Sequence, residues 1–290
     1  MYKKEDIRNF YFENEKGQRI DCQKVDGNLF FYNVDGLGYE EDIEYEQIGD
    51  TFVQNKKKMK QNQISGDLEF YDMTYDEYCN FVDFIMSATS LKLIYIPKRT
   101  IRKEYYRDVD LFKIDKSEED DYNILTCPIS MNATSLWYEE NTFIHKIELS
   151  NDEIRWDFRW DSKFSDYNSR SLTYINKGHI EAPAVIEMDG YLENPKIELY
   201  VEGQLFQTIL FNIVIQEYEK LLYDSRENQF FIGKQNTDGT KSNLFNLDVI
   251  DFKNDNVLRI PKNKSCEIIL TADNEVLKAQ LTIFPQYKAV

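Results

Sequence analysis

The sequence predicts a mainly β protein. An N-terminal, β-sandwich-like domain with one packed α-helix, residues 1–140, is followed by an antiparallel β-sandwich, residues 141–290. Three observations carry this. Twenty tyrosines and nineteen phenylalanines far outnumber three tryptophans and six methionines, an aromatic balance that suits strands. Alternation of apolar and polar residues recurs along the chain, whereas helical spacing is clear only once. The length of 290 residues, 42% of them hydrophobic, suits about two domains, each large enough to bury a core. With only six prolines and eleven glycines to make turns, Asn and Asp must supply many of them by adopting left-handed conformations.

In the first half, Asn28 to Val34 is a short aromatic run ending in Asp35-Gly36, a dipeptide suited to positive φ. Ile43 and Tyr45 then alternate with Asp42, Glu44 and Glu46, the period of a half-buried strand. The basic run from Asn55 to Lys60 has no interleaved aromatic residues and reads as a solvated loop. Ile64 to Tyr71 is a further strand, with Leu68 and Phe70 on one face. The helix starts at Thr74. Thr74 and Glu77 have capping-box spacing, and Tyr78, Phe81, Val82 and Ile85 fall on one helical face. Leu91 to Ile96 returns to strand before Pro97, and Tyr105 to Ile114 alternates again. The acidic run Glu118 to Asp121 lacks the glycine and ligand order of a calcium loop and reads as a solvated turn. Leu125 to Leu136 is the last strand of the block.

The pattern loosens at Glu139-Glu140-Asn141, where the domain boundary is placed. Ile154, Trp156, Phe158 and Trp160 then alternate with Arg155, Asp157, Arg159 and Asp161. Exposed, such a face could stack on sugar rings; burial in a core or interface explains four large apolar side chains better. From Ile180 onward short strands alternate with turn signals such as Asn194-Pro195, Glu202-Gly203 and Asp238-Gly239. No strong helix interrupts them, which favours an antiparallel sandwich.

A formal net charge of −17 repels nucleic acid and anionic membranes, so sequence-specific nucleic-acid binding is not expected. Cys22, Cys79, Cys127 and Cys266 form no C-x-x-C pair and read as free buried thiols. The charged start of the sequence lacks the apolar stretch of a signal peptide, and no 18 apolar residues follow one another, so neither secretion nor membrane insertion is expected. The two histidines, His145 and His179, sit in no zinc-peptidase or serine-hydrolase motif, and no phosphate-cradling glycine loop opens a helix. No catalytic, cofactor-binding or metal-ligating residue is therefore nominated, and no enzyme activity is expected.

Several phrases have a characteristic order: Leu93-Ile94-Tyr95-Ile96-Pro97, Tyr105 to Asp110, Thr134-Ser135-Leu136-Trp137-Tyr138, Asn176 to Pro183, and Gly190 to Pro195. In this order the chain resembles the distal tail protein of long-tailed, non-contractile phages of Gram-positive bacteria, from about Gly36 onward. The resemblance implies a structural baseplate hub at the virion tail tip, made in the host cytoplasm. It implies a homohexamer whose N-terminal domains form a ring around a channel for DNA, while galectin-like C-terminal domains project outward. The implied partners are the tail tube protein, a tail-associated hub or fibre protein and, in some members, a receptor-binding protein. A carboxylate-lined channel would let DNA slide without adhering. The alternative is a carbohydrate-binding module that contacts the host envelope.

Overall fold

The computed structural model describes residues 8–23, 28–71, 74–98, 103–146, 171–245, 257–274 and 278–290. The chain is mainly β, with a single α-helix among the described residues, and divides into two compact units. Residues 1–139 and 287–290 form the first, and residues 140–286 the second. By this division residues 287–290 fall with the first unit. The alternating Ile154, Trp156, Phe158 and Trp160 fall outside the described residues. No helix among those described is long and apolar enough to cross a membrane.

The first unit contains β1 (Asn9–Asn14), β2 (Arg19–Asp21), β3 (Leu29–Asp35), β4 (Glu41–Ile48), β5 (Thr51–Met59), β6 (Gln63–Phe70), α1 (Thr74–Ser87), β7 (Leu91–Ile96), β8 (Tyr105–Ile114), β9 (Leu125–Ala133) and β10 (Trp137–Tyr138). Its main sheet runs β2-β1-β7-β8-β9-β6-β3. The two ends of that path are joined through Cys22 and Gln23. The Cys22 N–H donates to Phe10 O at 3.0 Å, Phe31 N–H donates to Cys22 O at 2.9 Å, and Gln23 bridges Phe30. The sheet therefore wraps a core in which Phe10, Phe12, Phe31 and Phe70 are fully buried. The aromatic alternation of β1 and β3 points these rings inward, where edge-to-face pairs such as Phe10–Phe31 form at 5.3 Å.

Helix α1 covers one part of this core. Phe81 is 2% exposed and meets Phe12 and Phe70 at 5.6 and 6.1 Å, with Tyr78, Phe84 and Ile85 packed around it. Phe84 belongs to this cluster where the sequence reading placed Val82. The expected capping box is absent. The Thr74 hydroxyl donates to the Glu119 carboxylate, and the Glu77 carboxylate accepts from Asn28 Nδ2 at 3.5 Å. The hydroxyl is taken up by a tertiary acceptor instead, so the acidic run ending at Asp121 helps to anchor the helix. Phe81→Ala is expected to cost about 3–5 kcal/mol and Thr74→Ala only about 1 kcal/mol, measured by urea unfolding. Equal, small losses would make the helix peripheral.

The second unit contains β11 (Asn141–Lys146), β12 (Ser171–Ile175), β13 (Ala184–Asp189), β14 (Leu192–Glu193), β15 (Lys196–Val201), β16 (Gln204–Leu210), β17 (Val214–Ile215), β18 (Glu219–Asp224), β19 (Phe231–Asn236), β20 (Lys241–Asn243), β21 (Ser265–Thr271) and β22 (Lys278–Ile283). A six-stranded antiparallel sheet, β11-β22-β13-β18-β19-β20, and a four-stranded one, β12-β21-β15-β16, share a single core. Ile186, Met188 and Tyr223 enter it from the first sheet, and Ile197, Leu199 and Ile268 from the second, which makes a two-layer sandwich. The stretch Val257 to Ile260 contributes an isolated bridge from Ile260 to Ala182. The last strand, β23 (Gln286–Tyr287), pairs with β10.

Turns use the chemistry expected of a glycine-poor chain. Asn33, Asn123, Asn194 and Asn263 all adopt positive φ, between 46° and 57°. Three of the four cysteines, Cys22, Cys127 and Cys266, are free and buried, and burial pushes their thiols up. Cys79 departs from the expectation: it is free but exposed on the outer face of α1.

A candidate assembly surface

The phrases that stand out in the sequence turn out to be staples. Asn176 is fully buried; its Nδ2 donates to Ile180 O and Ile260 O at 2.9 and 3.0 Å, and its Oδ1 accepts the Gly178 N–H at 2.8 Å. A Cβ at Gly178 would lie 2.7 Å from Gln286 O, so only glycine fits there. His179 donates its backbone N–H to the same carbonyl at 2.7 Å, which makes it a tied loop residue. In the other phrase, Ser135 Oγ accepts the Asp108 N–H at 2.8 Å, and the fully buried Trp137 donates its indole N–H to Leu37 O at 2.9 Å. Asn274 Nδ2 donates to Tyr191 O, while its Oδ1 accepts the Glu193 N–H at 2.7 Å. These groups hold loops to sheets. Among the described residues no group of three or more His, Cys, Asp or Glu side chains is placed to hold a metal ion.

The surface with unmet physical demands is the hairpin β4–β5. It forms a two-stranded sheet of its own, paired with no other strand among the described residues. A two-residue turn, Gly49-Asp50, connects Ile48 to Thr51. Gly49 takes φ 63°, as such turns require. The register shifts between Glu44 and Tyr45 and leaves Asn55 as the extra residue of a bulge. The base is built by Asn62, whose Nδ2 donates to Gly36 O and Gly38 O at 2.6 and 2.7 Å. Gly36, at φ 83°, passes so close to Gln63 O that a Cβ would sit 2.0 Å from it. The chain can therefore leave β3 for the hairpin only through glycine at this point.

Cross-strand pairing divides the hairpin into two faces. Ile43, Tyr45 and Gln47 oppose Lys57, Gln54 and Phe52 on one; Asp42, Glu44, Glu46 and Ile48 oppose Lys58, Lys56, Val53 and Thr51 on the other. The first face is the more apolar, and it is bare: Tyr45 is 60% and Phe52 69% exposed. An isolated two-stranded ribbon is marginal in water, and a contiguous bare apolar face with two open edges normally acquires a partner.

Of the basic run read from the sequence as a loop, all but Lys60 lies within β5. Three of its four lysines meet carboxylates: Lys57 Nζ lies 2.5 Å from Glu41, Lys56 3.7 Å from Glu44, and Lys60 2.8 Å from Glu40. Lys288 first, and Lys57 second, hold the Glu41 carboxyl below the usual carboxylate range, and Glu41 in turn raises Lys57. The stabilisation from the Glu41 pairs is in place at neutral pH and is lost as pH falls through the depressed Glu41 value.

Comparison with known proteins gives a consistent picture. Residues 9–134 match the family model described as "Distal tail protein, N-terminal domain". No curated protein matches the chain. Among solved structures, the phage P2 baseplate in its activated conformation with Ca is similar over 98% of this chain and 100% of that one, at TM-score 0.68 and 19% identity. The same baseplate with Sr gives TM-score 0.67 at 19% identity, over 98% of this chain and 100% of that one. The SPP1 Dit protein, titled a paradigm of the hub adsorption apparatus in Gram-positive infecting phages, is similar over 95% of this chain and 98% of its own, at TM-score 0.56 and 10% identity. The fold of the whole chain is thus of the SPP1 Dit type.

Proposed function

We propose, from the match of the first unit to the distal tail protein N-terminal domain and the Dit-type fold of the whole chain, that this protein is the distal tail protein of a phage. On this reading it is a structural baseplate hub at the far end of the tail and not an enzyme. Six copies close into a ring through their first units, DNA passes through the central channel, and the second, galectin-like units project outward. The ring joins the tail tube protein to a tail-associated hub or fibre protein, and the outer unit offers a place for a receptor-binding protein. A Gram-positive host accompanies this reading.

The observation that carries it is the bare hairpin. A ribbon with Tyr45 and Phe52 uncovered is poorly suited to a lone chain and well suited to a closed assembly, where each copy covers its neighbour's apolar face and no edge is left free. Size exclusion coupled to light scattering, at several concentrations and with or without the hub partner, is expected to find hexamer in at least one condition. Permanent interfaces typically bury roughly 2,000 Å² or more, so the ring should survive modest dilution. Phe52→Glu is expected to abolish the ring while leaving the circular dichroism spectrum of the folded chain unchanged. Persistent monomer in every condition would overturn the ring, and an intact ring in Phe52→Glu would detach the hairpin from it.

A further inference from the structure

The hairpin base is met by the end of the sequence. Lys288 Nζ lies 2.8 Å from Glu41 Oε1, while Lys57 holds the other oxygen of the same carboxylate at 2.5 Å. The Glu41 side chain is only 10% exposed, although almost every other residue of the ribbon faces solvent. The Lys288 ammonium also sits 5.5 Å from the centroid of the Tyr39 ring, just ahead of the first hairpin strand. Lys288 cannot drift far from this post. Its neighbour Tyr287 is 8% exposed and packs edge-on against Tyr105 at 5.4 Å, with the Lys103 ammonium over both rings, and β23 pairs with β10. Val290 packs on the same core.

We infer that residues 287–290 form a clamp that fixes the β4–β5 hairpin on the first unit, with Lys288 as the positioning residue and the Glu41 carboxylate as its catch. The geometry favours orientation over bulk stability. A charge-assisted hydrogen bond is roughly twice as strong as a neutral one, and this one holds the root of the ribbon, where any angular freedom would be multiplied at the tip. Pre-setting the hairpin before it meets a partner lowers the ordering cost of that encounter. The segment that does this is also the one by which the chain returns from the second unit. The clamp is a property of the single chain and stands whether or not the ring forms.

The test uses two spin labels on the full chain. Cys79 is exposed on α1 and takes one label while the other three thiols are buried; Asp50→Cys, at the hairpin turn, takes the second. Labelled chains are diluted in unlabelled ones so that only distances within a chain are read. With Lys288 in place the distribution is expected to be a single narrow peak. Lys288→Gln and Glu41→Gln should each lose that peak to a broad distribution, and the double variant should be no broader than either, with the melting temperature unchanged in all three. A narrow peak retained in Lys288→Gln would overturn the clamp. So would broadening accompanied by a lowered melting temperature, because the Lys288–Glu41 contact would then act on the whole unit rather than on the hairpin.

Discussion

Trp137→Ala should lower the stability of the first unit by about 3–5 kcal/mol, as read by urea unfolding followed by circular dichroism. Trp137 is fully buried and serves three neighbours at once. Its indole N–H is held by Leu37 O, the Tyr95 ring lies 6.0 Å away, and the Arg107 guanidinium lies 5.3 Å from its ring centroid. Arg107 is itself 3% exposed, and its Nε donates to Ser135 O at 3.1 Å. Burial pulls this guanidinium down to about 10, a sign that it has little to offset its lost hydration beyond that carbonyl and the indole face. Removing the ring therefore opens a cavity and strips a buried cation of its cover. Trp137→Phe separates the two effects. It keeps an aromatic face for Arg107 but leaves Leu37 O unpaired, for a loss of about 1–3 kcal/mol. Equal losses in the two variants would place the whole cost in the hydrogen bond.

The second large effect concerns the end of the sequence. A fragment of residues 1–140 omits Tyr287, Lys288 and Val290, and with them β23 and part of the first unit's core. It is expected to melt well below the first unit within the full chain. In the intact protein Tyr287→Ala should cost about 3 kcal/mol, or roughly 10 °C in a unit of this size, by differential scanning calorimetry. A fragment that melts like the unit in the full chain would show the terminal strand to be dispensable.

The core residues that were legible from sequence lie on segments with one buried and one wet face within the single chain. Leu68 and Phe70 alternate into the core, and Phe81 leads the helix face as its spacing requires. What escaped has physical reasons. Lys56 to Lys58 gave no strand signal because neither face of that ribbon is covered by its own chain, and periodicity encodes only burial that exists. Strand β1 is bracketed by polar residues, Asn9 and Asn14, that are buried through hydrogen bonds, which hid the Phe10 and Phe12 alternation between them. Strand β23 has two residues, too few for any period. Its membership of the first unit is a long-range pairing with no local signal. The candidate surface was half legible: Ile43 and Tyr45 did mark a strand face, but in the single chain that face lies open instead of against a core.

The discontinuity of the first unit also bears on how the protein is made. Synthesis runs from the N-terminus, and domains generally fold as units as they emerge. Here the sheet around Phe10, Phe12 and Phe31 can begin to assemble early, yet the partner strand of β10 and the Tyr287 side chain arrive only after the whole second unit has been translated. The first unit to start is therefore the last to finish. Until then Tyr105 waits without its edge-on partner Tyr287, a transient apolar site that a holding chaperone or a premature neighbour could occupy.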